Sequence, residues 1–290
     1  MQTVAHSAYQ TIDTCQEQFS DRRWNCSSVR NAPHLTRDVA RGTREQAFIY
    51  ALASSSLVHS MARACTLGVT TKCSCGALPN KPPKGDYKWG GCGDDVIFAV
   101  RFTSTFTNAS LQSKGKPKMS KKAAMNRHNN AAGIAVVADG LETTCKCHGV
   151  SGSCSIKTCW KALPDFDSIA RTLKSRYALA VEVKRKRKKQ QKVFVSINPS
   201  IKNIRSDQLI YYTKSPDYCS LYPKTGSVGT HRRLCDKDSS GPGGCESMCC
   251  GRGYNSFTME VVERCECKYY WCCYVECKMC KKTLELSRCR

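Results

Sequence analysis

Apolar side chains recur every three or four residues between Thr43 and Cys65. The repeating positions are Ala47, Phe48, Ala51, Leu52, Val58, Met61 and Ala62. A period of this length places apolar groups on one side of a helix, and so many of them in one segment require burial. The pattern therefore predicts a long helix in the protein core.

Four other segments show a helical pattern, over residues 1–20, 94–102, 120–138 and 164–177. Asp94 and Asp95 would lie in the first turn of the second helix, where carboxylates complement the helix dipole. Ser120 is placed to cap the third helix, and the polar residues 107–120 before it predict a loop. The apolar faces include Val4, Ala5, Ala8 and Ile12 in the first helix, Met125, Ala132 and Val136 in the third, and Phe166, Ile169, Leu173 and Tyr177 in the last.

The periodicity changes after these helices. Residues 193–197 predict a strand, residues 198–206 contain proline and polar groups, and from Asp207 onward cysteines and glycine turns replace the helical pattern. We therefore expect an α+β fold in two domains. A helical N-terminal domain would span residues 1–200, and a small, disulfide-rich β-hairpin domain would span residues 207–290.

Cysteine usage indicates a protein outside the cytosol. The chain has 22 cysteines, and 12 of them lie between Cys219 and Cys289. This density is typical of a scaffold held by disulfides, which persist only in an oxidising compartment. We expect a secreted protein, although residues 1–20 lack the pattern of a signal peptide, which indicates that Met1 is a fragment boundary or an internal start. The longest apolar run, residues 47–58, is too short to span a bilayer.

The net charge of +23 is concentrated in one run, Lys184-Arg-Lys-Arg-Lys-Lys189. Taken alone, such a run is typical of a nuclear signal or a nucleic-acid-binding arm. Outside the cell, the available polyanions are heparan sulfate chains and anionic lipid headgroups, so we expect no nucleic-acid partner. The predicted polyanion-binding residues are Lys184, Arg185, Lys186, Arg187, Lys188 and Lys189. The alternative is a solvated loop without a dedicated partner.

The strongest candidate for chemistry is the stretch Cys145-Lys-Cys-His-Gly-Val-Ser-Gly-Ser-Cys-Ser-Ile-Lys-Thr-Cys159. Its four cysteines lie symmetrically about Ser151. Nested pairing, outer with outer and inner with inner, would close a hairpin with this serine at its tip. Gly149 and Gly152 permit positive φ and remove bulk beside the hydroxyl. A projecting hydroxyl of this kind is a natural site for covalent modification.

Two other interpretations of this stretch are less favoured. The four cysteines and His148 have the chemistry of zinc ligands, but the first gap is C-x-C, whereas structural zinc sites favour C-x2-C. Residues 149–153 are similar to a nucleophile elbow, but Ser153 replaces the final glycine, and the cysteines do not fit the strand-to-helix context of that motif. We therefore expect no metal site, no catalytic residue and no enzyme activity.

The stretch resembles the signature of the Wnt family of secreted, lipid-modified signalling proteins. Further motifs in the order typical of the family are Arg23-Trp-Asn-Cys26, Trp89-Gly-Gly-Cys92, Met125-Asn-Arg-His-Asn-Asn130, Cys249-Cys-Gly-Arg-Gly253 and Trp271-Cys-Cys273. They extend over nearly the whole chain, so the resemblance is specific. It implies the two-domain Wnt fold and a palmitoleate ester on Ser151, without any other cofactor.

The resemblance also implies a disulfide pattern, which sequence alone does not select because 22 cysteines allow on the order of 10^10 pairings. Together with the nested pairs Cys145 with Cys159 and Cys147 with Cys154, the implied pairs are Cys15 with Cys26, Cys65 with Cys73, Cys75 with Cys92, Cys219 with Cys250, Cys235 with Cys245, Cys249 with Cys289, Cys265 with Cys280, Cys267 with Cys277, and Cys272 with Cys273. The last pair is the least expected on physical grounds, because adjacent α-carbons lie about 3.8 Å apart, below the usual disulfide range.

In the family, the serine hairpin and a C-terminal finger bind the cysteine-rich domain of a Frizzled receptor between them. Here the finger would span residues 263–281, with aromatic groups at its tip. Exposed aromatic groups favour a partner that covers them, unless Tyr274 and Val275 pack on the hairpin itself. The expected receptor-binding residues are Val150, Ser151, Gly152, Tyr270, Trp271, Cys272, Cys273, Tyr274 and Val275.

The same resemblance implies several further partners. They are LDL-receptor-related, Ror and Ryk co-receptors, a membrane O-acyltransferase, a secretory carrier for the lipid, and heparan sulfate proteoglycans. Asn25 and Asn108 lie in glycosylation sequons, whereas a proline excludes Asn198. We thus expect a ligand in the extracellular space and matrix that activates Wnt signalling. The alternative is a heparin-binding matrix protein without receptor activation.

Overall fold

The computed structural model describes residues 1–32, 35–80, 82–83, 85–111, 119–188 and 191–290. They divide into two compact units. The first comprises Met1–Gln18 and Cys26–Pro216, and the second comprises Phe19–Asn25 and Asp217–Arg290. The boundary between the two units thus lies after Pro216, whereas the sequence predicts an N-terminal domain that ends at residue 200. The second unit also includes a short segment from the N-terminal part of the chain.

Helices form most of the regular secondary structure described in the first unit. In its described residues they are α1 (Gln2–Gln18), α2 (Arg37–Ala40), α3 (Arg44–Thr66), α4 (Val96–Leu111), α5 (Lys121–Asp139) and α6 (Phe166–Ala178). The central helix, α3, packs against α1, α4, α5 and α6. All seven apolar positions predicted for it are buried, which confirms the long core helix. None of the described helices is long and apolar enough to cross a membrane.

Two small sheets complete the first unit. Their strands are β1 (Lys88–Trp89), β2 (Glu142–Cys147), β3 (Lys157–Ala162), β4 (Val181–Lys188), β5 (Gln191–Ser196) and β6 (Ile210–Tyr211). Strand β3 lies between β1 and β2, parallel to β1 and antiparallel to β2. Strand β4 lies between β5 and β6, antiparallel to β5 and parallel to β6. The basic run, for which the sequence pattern predicts no strand, therefore forms most of β4.

Hydroxyl caps fix the start of two long helices. The Thr43 side chain accepts a hydrogen bond from the Gln46 N–H at the start of α3, over 3.2 Å. The Ser120 side chain accepts one from the Ala123 N–H at the start of α5, over 3.1 Å. Each hydroxyl satisfies a backbone donor that the first turn leaves without an intrahelical partner. The predicted cap at Ser120 is confirmed.

The two aspartates before α4 have other roles than predicted, because the helix begins only at Val96. Asp95 caps it by accepting a hydrogen bond from the Phe98 N–H over 3.0 Å. Asp94 is buried, and its carboxylate accepts a hydrogen bond of 2.7 Å from the Leu163 N–H. Asp94 thus connects the start of α4 to the end of β3, in addition to any effect on the helix dipole.

Two further helix predictions meet different outcomes. Helix α4 continues through residues 107–111, which were predicted as part of a loop, while residues 112–118 of that loop lie outside the described part of the chain. Helix α6 agrees with the predicted segment and buries Phe166, Ile169 and Leu173. Tyr177 at its end is half-buried, and its hydroxyl donates to a carboxylate oxygen of Glu45 over 2.9 Å.

The first helix forms as predicted, but with a different buried face. Ala5 and Ala8 are exposed, and the buried positions are Ser7, Thr11, Cys15 and Gln18. The Ser56 hydroxyl of α3 donates to the Ser7 carbonyl over 2.9 Å. Small polar side chains and the disulfide of Cys15 let α1 approach a serine-rich part of α3. Close fit and hydrogen bonding thus outweigh the apolar pattern at this contact.

An asparagine attaches the second sheet to the helices. The Asn129 side chain of α5 donates to the Ile210 carbonyl over 3.0 Å and accepts from the Ile210 N–H over 2.9 Å. Beside it, Met125, Val181, Val183 and Ile210 form a buried apolar cluster. This cluster packs one face of the β4–β5 hairpin against helix α5 of the same unit.

Strands dominate the second unit. Its described elements are β7 (Leu221–Tyr222), β8 (Ser227–Val228), β9 (Leu234–Cys235), α7 (Cys245–Met248), β10 (Tyr254–Tyr270) and β11 (Tyr274–Cys289). Strands β10 and β11 form one long antiparallel hairpin, and β9 pairs with the end of β11. The predicted finger, residues 263–281, is the distal part of this hairpin. Its base packs on a small core of Cys245, Met248, Cys249 and Cys289.

Hydrogen bonds from Arg233 contribute to placing Phe19–Asn25 in the second unit. The Arg233 guanidinium donates to the Arg23 carbonyl over 2.7 Å, to the Arg22 carbonyl over 2.6 Å and to the Ser20 carbonyl over 3.0 Å. Charged donors make stronger hydrogen bonds than neutral ones. Three such bonds from one side chain order a segment that has no regular secondary structure of its own.

The close contact between α3 and α5 gives a stability prediction. Gly133 of α5 is buried, and a Cβ atom there would collide with the Ala51 carbonyl and the Ser54 hydroxyl of α3. Gly133→Ala should lower the free energy of unfolding by about 1–3 kcal/mol through overpacking, although alanine is otherwise favoured in helices. The measurement is urea denaturation followed by far-UV circular dichroism.

Ala131 on the same helix is exposed and supplies the control. Ala131→Ser should change the free energy of unfolding by less than about 0.5 kcal/mol. A Gly133→Ala variant as stable as the parent protein would contradict the close helix contact.

Candidate functional site

Two disulfides close the serine hairpin, residues 145–159. Cys145 pairs with Cys159 and Cys147 pairs with Cys154, as nested pairing requires. Cys145 and Cys159 also face each other in the register of β2 and β3. The outer disulfide therefore lies where the strands are already paired, and the inner one closes the turn beyond them.

The base of this hairpin is fixed in the first unit. Cys159 is fully buried, and its carbonyl accepts a hydrogen bond from the Gly90 N–H over 3.0 Å. The Asp94 N–H donates to the Lys161 carbonyl over 2.9 Å. These bonds hold β3 between the start of α4 and the segment around β1. The hairpin thus has a rigid base from which its tip extends.

The tip is a tight turn around Ser151. The Gly149 N–H donates to the Ser153 carbonyl over 2.8 Å, and the Gly152 N–H donates to the Gly149 carbonyl over 2.9 Å. Ser151 has φ 55°, in the left-handed region that residues with a side chain rarely adopt. A sparsely populated conformation at an exposed, crosslinked tip is typical of a functional position.

Val150 and Ser151 project into solvent. The Val150 side chain is 88% exposed, and Ser151 and Gly152 are also exposed. No atom would contact a Cβ at Gly152, so the space beside the serine is open on that side. A Cβ at Gly149, in contrast, would collide with the hydroxyls of Ser153 and Ser155. One glycine thus permits the turn, and the other leaves the hydroxyl accessible.

A hydrolase would use Ser151 as the nucleophile and His148 as the base. Within the described residues, neither the Ser151 hydroxyl nor the exposed His148 imidazole has a hydrogen-bond partner. A nucleophilic serine needs a base within hydrogen-bond reach and a third group that orients the base. His128 has a structural role instead, because its Nε2 donates to the Gln208 carbonyl over 2.8 Å and burial lowers the pKa of its imidazole.

All 22 cysteines are paired in eleven disulfides. The pairs are those that the family resemblance implies, including the adjacent Cys272 and Cys273. The sulfurs of Cys235, Cys249 and Cys289 lie within 4.8 Å of one another, but each belongs to a disulfide and offers no thiolate to a metal ion.

The tip of the β10–β11 hairpin forms an exposed apolar surface. Trp271 is 90% exposed, and the rings of Tyr270 and Tyr274 stack with centroids 5.0 Å apart. Tyr274 packs on its own hairpin in this way, yet it remains 58% exposed, and Val275 is exposed as well. Stacking within the hairpin therefore orients the aromatic groups without covering them.

Two disulfides stiffen the finger below this tip. They join Cys265 with Cys280 and Cys267 with Cys277. The expected contact residues of the finger, 270–275, lie together at its tip, and the structure adds Tyr269, which is exposed and faces Val275 in the register. The aromatic run around Tyr269 was a sufficient sequence signal for including it.

The predicted polyanion-binding residues do not share one environment. Lys184, Lys186 and Arg187 are exposed. Arg185 is half-buried, and both of its terminal nitrogens donate to the Met119 carbonyl over 3.3 Å. The side chain of Lys188 and the whole of Lys189 lie outside the described residues.

The two sequons lie in ordered parts of the chain. Asn25 is half-buried directly before the disulfide-bonded Cys26, and Asn108 is half-buried near the end of α4. N-linked glycans are bulky and need a surface position. Occupancy of both sites stays a prediction.

Comparison with known proteins extends over the whole chain. The Wnt family model matches residues 1–290. Protein Wnt-11b of Xenopus laevis is 50% identical over 290 residues, which cover 100% of this chain and 82% of that protein. Protein Wnt-11 of Gallus gallus is 46% identical with the same coverage.

Two solved structures are also similar. A chain in the structure of human WLS in complex with WNT8A matches with a TM-score of 0.70 and 32% identity, covering 100% of this chain and 93% of that one. The Drosophila WntD N-terminal domain-linker matches with a TM-score of 0.51 and 22% identity, covering 75% of this chain and 97% of that one, which supports the fold alone. These matches confirm the family resemblance and the fold class. The protein therefore belongs to the Wnt family of secreted signalling ligands.

Proposed function

We propose that this protein binds the cysteine-rich domain of a Frizzled receptor through an acyl chain on Ser151 and through the aromatic finger tip. The observation that carries the proposal is the exposed Ser151 at the turn of a doubly crosslinked hairpin. The acyl group is a palmitoleate ester, as the family resemblance implies. Receptor binding then activates Wnt signalling.

The residues around Ser151 fit an attached acyl chain. The hydroxyl is exposed, and the open space beside Gly152 leaves room for an enzyme to reach it and for the ester to leave the turn. When bound, the acyl chain supplies apolar area at about 0.8 kcal/mol per buried methylene. A dozen methylenes correspond to about 10 kcal/mol before the costs of ordering are subtracted. The chain would therefore dominate the affinity.

The crosslinks lower the cost of binding. Because the two disulfides and the fixed base hold the turn, little backbone entropy is left to lose when the tip enters a groove. The same reasoning applies to the finger, where Trp271 stands on a hairpin with its own disulfides. Aromatic anchors of this kind contribute a large share of binding energy at protein interfaces.

Further partners are part of the proposal. A free acyl chain is poorly soluble, so a membrane O-acyltransferase would have to pass the protein to a carrier in the secretory route. The structure of human WLS in complex with WNT8A motivates a carrier of the WLS type. Co-receptors of the LDL-receptor-related, Ror or Ryk classes would join the Frizzled complex. The basic run would bind heparan sulfate or anionic headgroups, through its summed positive field.

The competing proposal is a heparin-binding matrix protein without receptor activation. It requires only the basic run and the disulfide scaffold, and it assigns no role to the exposed serine or the aromatic tip. The two proposals therefore differ in the effect of changes at these tips.

Removal of the Ser151 hydroxyl should abolish acylation. Intact-mass analysis of secreted Ser151→Ala protein should lack the acyl mass, and its affinity for the Frizzled cysteine-rich domain should fall by at least about 100-fold, because most of the buried apolar area is lost. Ser153→Ala is the matched control, since this nearby exposed hydroxyl is bonded to Ser155. Receptor activation by protein with an unmodified Ser151 would refute the proposal.

Disturbance of the turn should lower acylation without removal of the serine. A methyl group at position 149 would collide with Ser153 and Ser155, so Gly149→Ala should reduce the acylated fraction of secreted protein several-fold. Thr144→Ala, at an exposed position on β2, should leave that fraction unchanged. Mass spectrometry of the hairpin peptide measures both. Full acylation of the Gly149→Ala variant would show that the enzyme does not need this turn.

The finger tip should add affinity independently of the lipid. Trp271→Ala should weaken Frizzled-domain binding by about 10- to 100-fold, as for other exposed aromatic anchors, while the acylated fraction stays at the parent level. Met279→Ala on the shaft of the same finger is the control, because Met279 is also exposed but lies away from the tip. Surface plasmon resonance measures the affinity. Equal losses in the two variants would argue against Trp271 as the anchor.

A further inference from the structure

The β4–β5 hairpin has two chemically different faces. Residues that oppose each other in its register share a face, and the faces alternate along each strand. Lys184 opposes Val195, and Lys186 opposes Val193. These four residues lie on one face of the hairpin, which we call the outer face, and the next pair along the ladder, Glu182 with Ile197, lies on the same face. By the same register, Val183, Arg185, Arg187, Lys192, Phe194 and Ser196 belong to the inner face.

Most of the inner face is engaged within the first unit. Val183 is buried in the cluster with Met125, and Phe194 packs against that cluster. Arg185 is bonded to the Met119 carbonyl. Because the faces alternate, the outer residues are turned away from these contacts, and Lys184 and Lys186 are exposed. The hairpin thus presents only part of its basic run to a partner.

The outer face combines a cationic row with an apolar row. Strand β4 contributes the two exposed lysines and, next to Lys184, the half-buried Glu182, whereas strand β5 contributes the half-exposed Val193 and Val195. Ile197 continues the apolar row, because its N–H donates to the Glu182 carbonyl over 2.9 Å in the next position of the ladder, and its side chain is 46% exposed. Nothing in a purely electrostatic site requires three branched apolar groups beside the lysines.

We propose that this outer face binds the anionic surface of a lipid bilayer. Lysine ammonium groups pair with headgroup phosphates and carboxylates, while short apolar side chains enter the boundary between headgroups and acyl chains. A sulfated polysaccharide would use the lysines alone. The apolar row is therefore the feature that favours the bilayer over the polysaccharide.

The bilayer contact would supply a second anchor. It rests on the proposed acylation of Ser151 for its physiological role, because one acyl chain by itself gives marginal, reversible membrane binding. A basic, partly apolar surface on the same unit adds an electrostatic contribution that vanishes on neutral lipids and weakens with salt. The ligand would then stay on anionic membranes and exchange more freely from neutral ones.

The test uses vesicles of phosphatidylcholine, with or without phosphatidylserine, and the Ser151→Ala protein, so that acylation does not affect the result. Lys184→Gln with Lys186→Gln should lower binding to the anionic vesicles about tenfold and leave the weak binding to neutral vesicles unchanged. Arg187→Gln with Lys192→Gln removes the same charge from exposed positions of the inner face and should cost far less. Equal losses for the two pairs would overturn the proposal, since net charge alone would explain them.

A second variant separates lipid from polysaccharide. Val193→Thr with Val195→Thr preserves side-chain shape and charge, and it should lower vesicle binding severalfold without changing the salt needed to elute the protein from heparin. Unchanged vesicle binding in this variant, or an effect of the lysine pair on heparin elution only, would overturn the bilayer proposal. The absence of alkylatable thiols and an unchanged circular dichroism spectrum establish that each variant is folded. Because every arm is run without the acyl group, a failure of the proposed acylation gives a different result from a failure of this surface.

Discussion

Covalent closure of the serine hairpin is the constraint on which the rest depends. The tip around Ser151 has almost no burial of its own, and it contains a non-glycine residue at positive φ. Such a segment buries too little apolar area to offset the conformational entropy that it loses on folding. Two disulfides and the buried Cys159 at the base supply that order instead. The protein can therefore hold an exposed hydroxyl in one conformation while the packing of its helices is maintained elsewhere.

The finger in the second unit follows the same principle. Exposed aromatic groups normally collapse onto the nearest apolar surface, because exposure is unfavourable. Here disulfides along the shaft and the stack of Tyr270 on Tyr274 keep Trp271 at the end of a long hairpin. The disulfides of the shaft thus stabilise the finger, while the aromatic residues at its tip stay exposed. Changes at either tip are expected to affect function, whereas changes at the base affect folding.

Sequence reasoning succeeded where one physical effect dominates. Periodic apolar burial identified α3 and α6, and the hydroxyl of Ser120 identified the start of α5. It failed where several effects compete. In α1 the close fit of Ser7 against Ser56 decided the buried face, and Asp94 is held by the Leu163 N–H of a distant segment. Symmetric spacing indicated the nested pairs of the serine hairpin, but the pattern of cysteines cannot choose among the pairings elsewhere, so the other disulfides followed from family resemblance.

The basic run shows that a series of charges in the sequence does not define a binding surface until its secondary structure is known. As a string of six cations it suggests a uniform polyanion site, yet strand alternation sends Arg185 to a carbonyl and leaves Lys184 and Lys186 beside valines. In a loop the side chains of the run could point in many directions, whereas in a hairpin the strand geometry fixes the face on which each side chain lies. Salt screens the attraction between charges but does not weaken apolar contacts. A face with both kinds of group would therefore keep part of its affinity for an anionic bilayer at physiological salt. Under the bilayer proposal, the alternation of lysines along β4 therefore indicates the partner more specifically than the net charge of the run does.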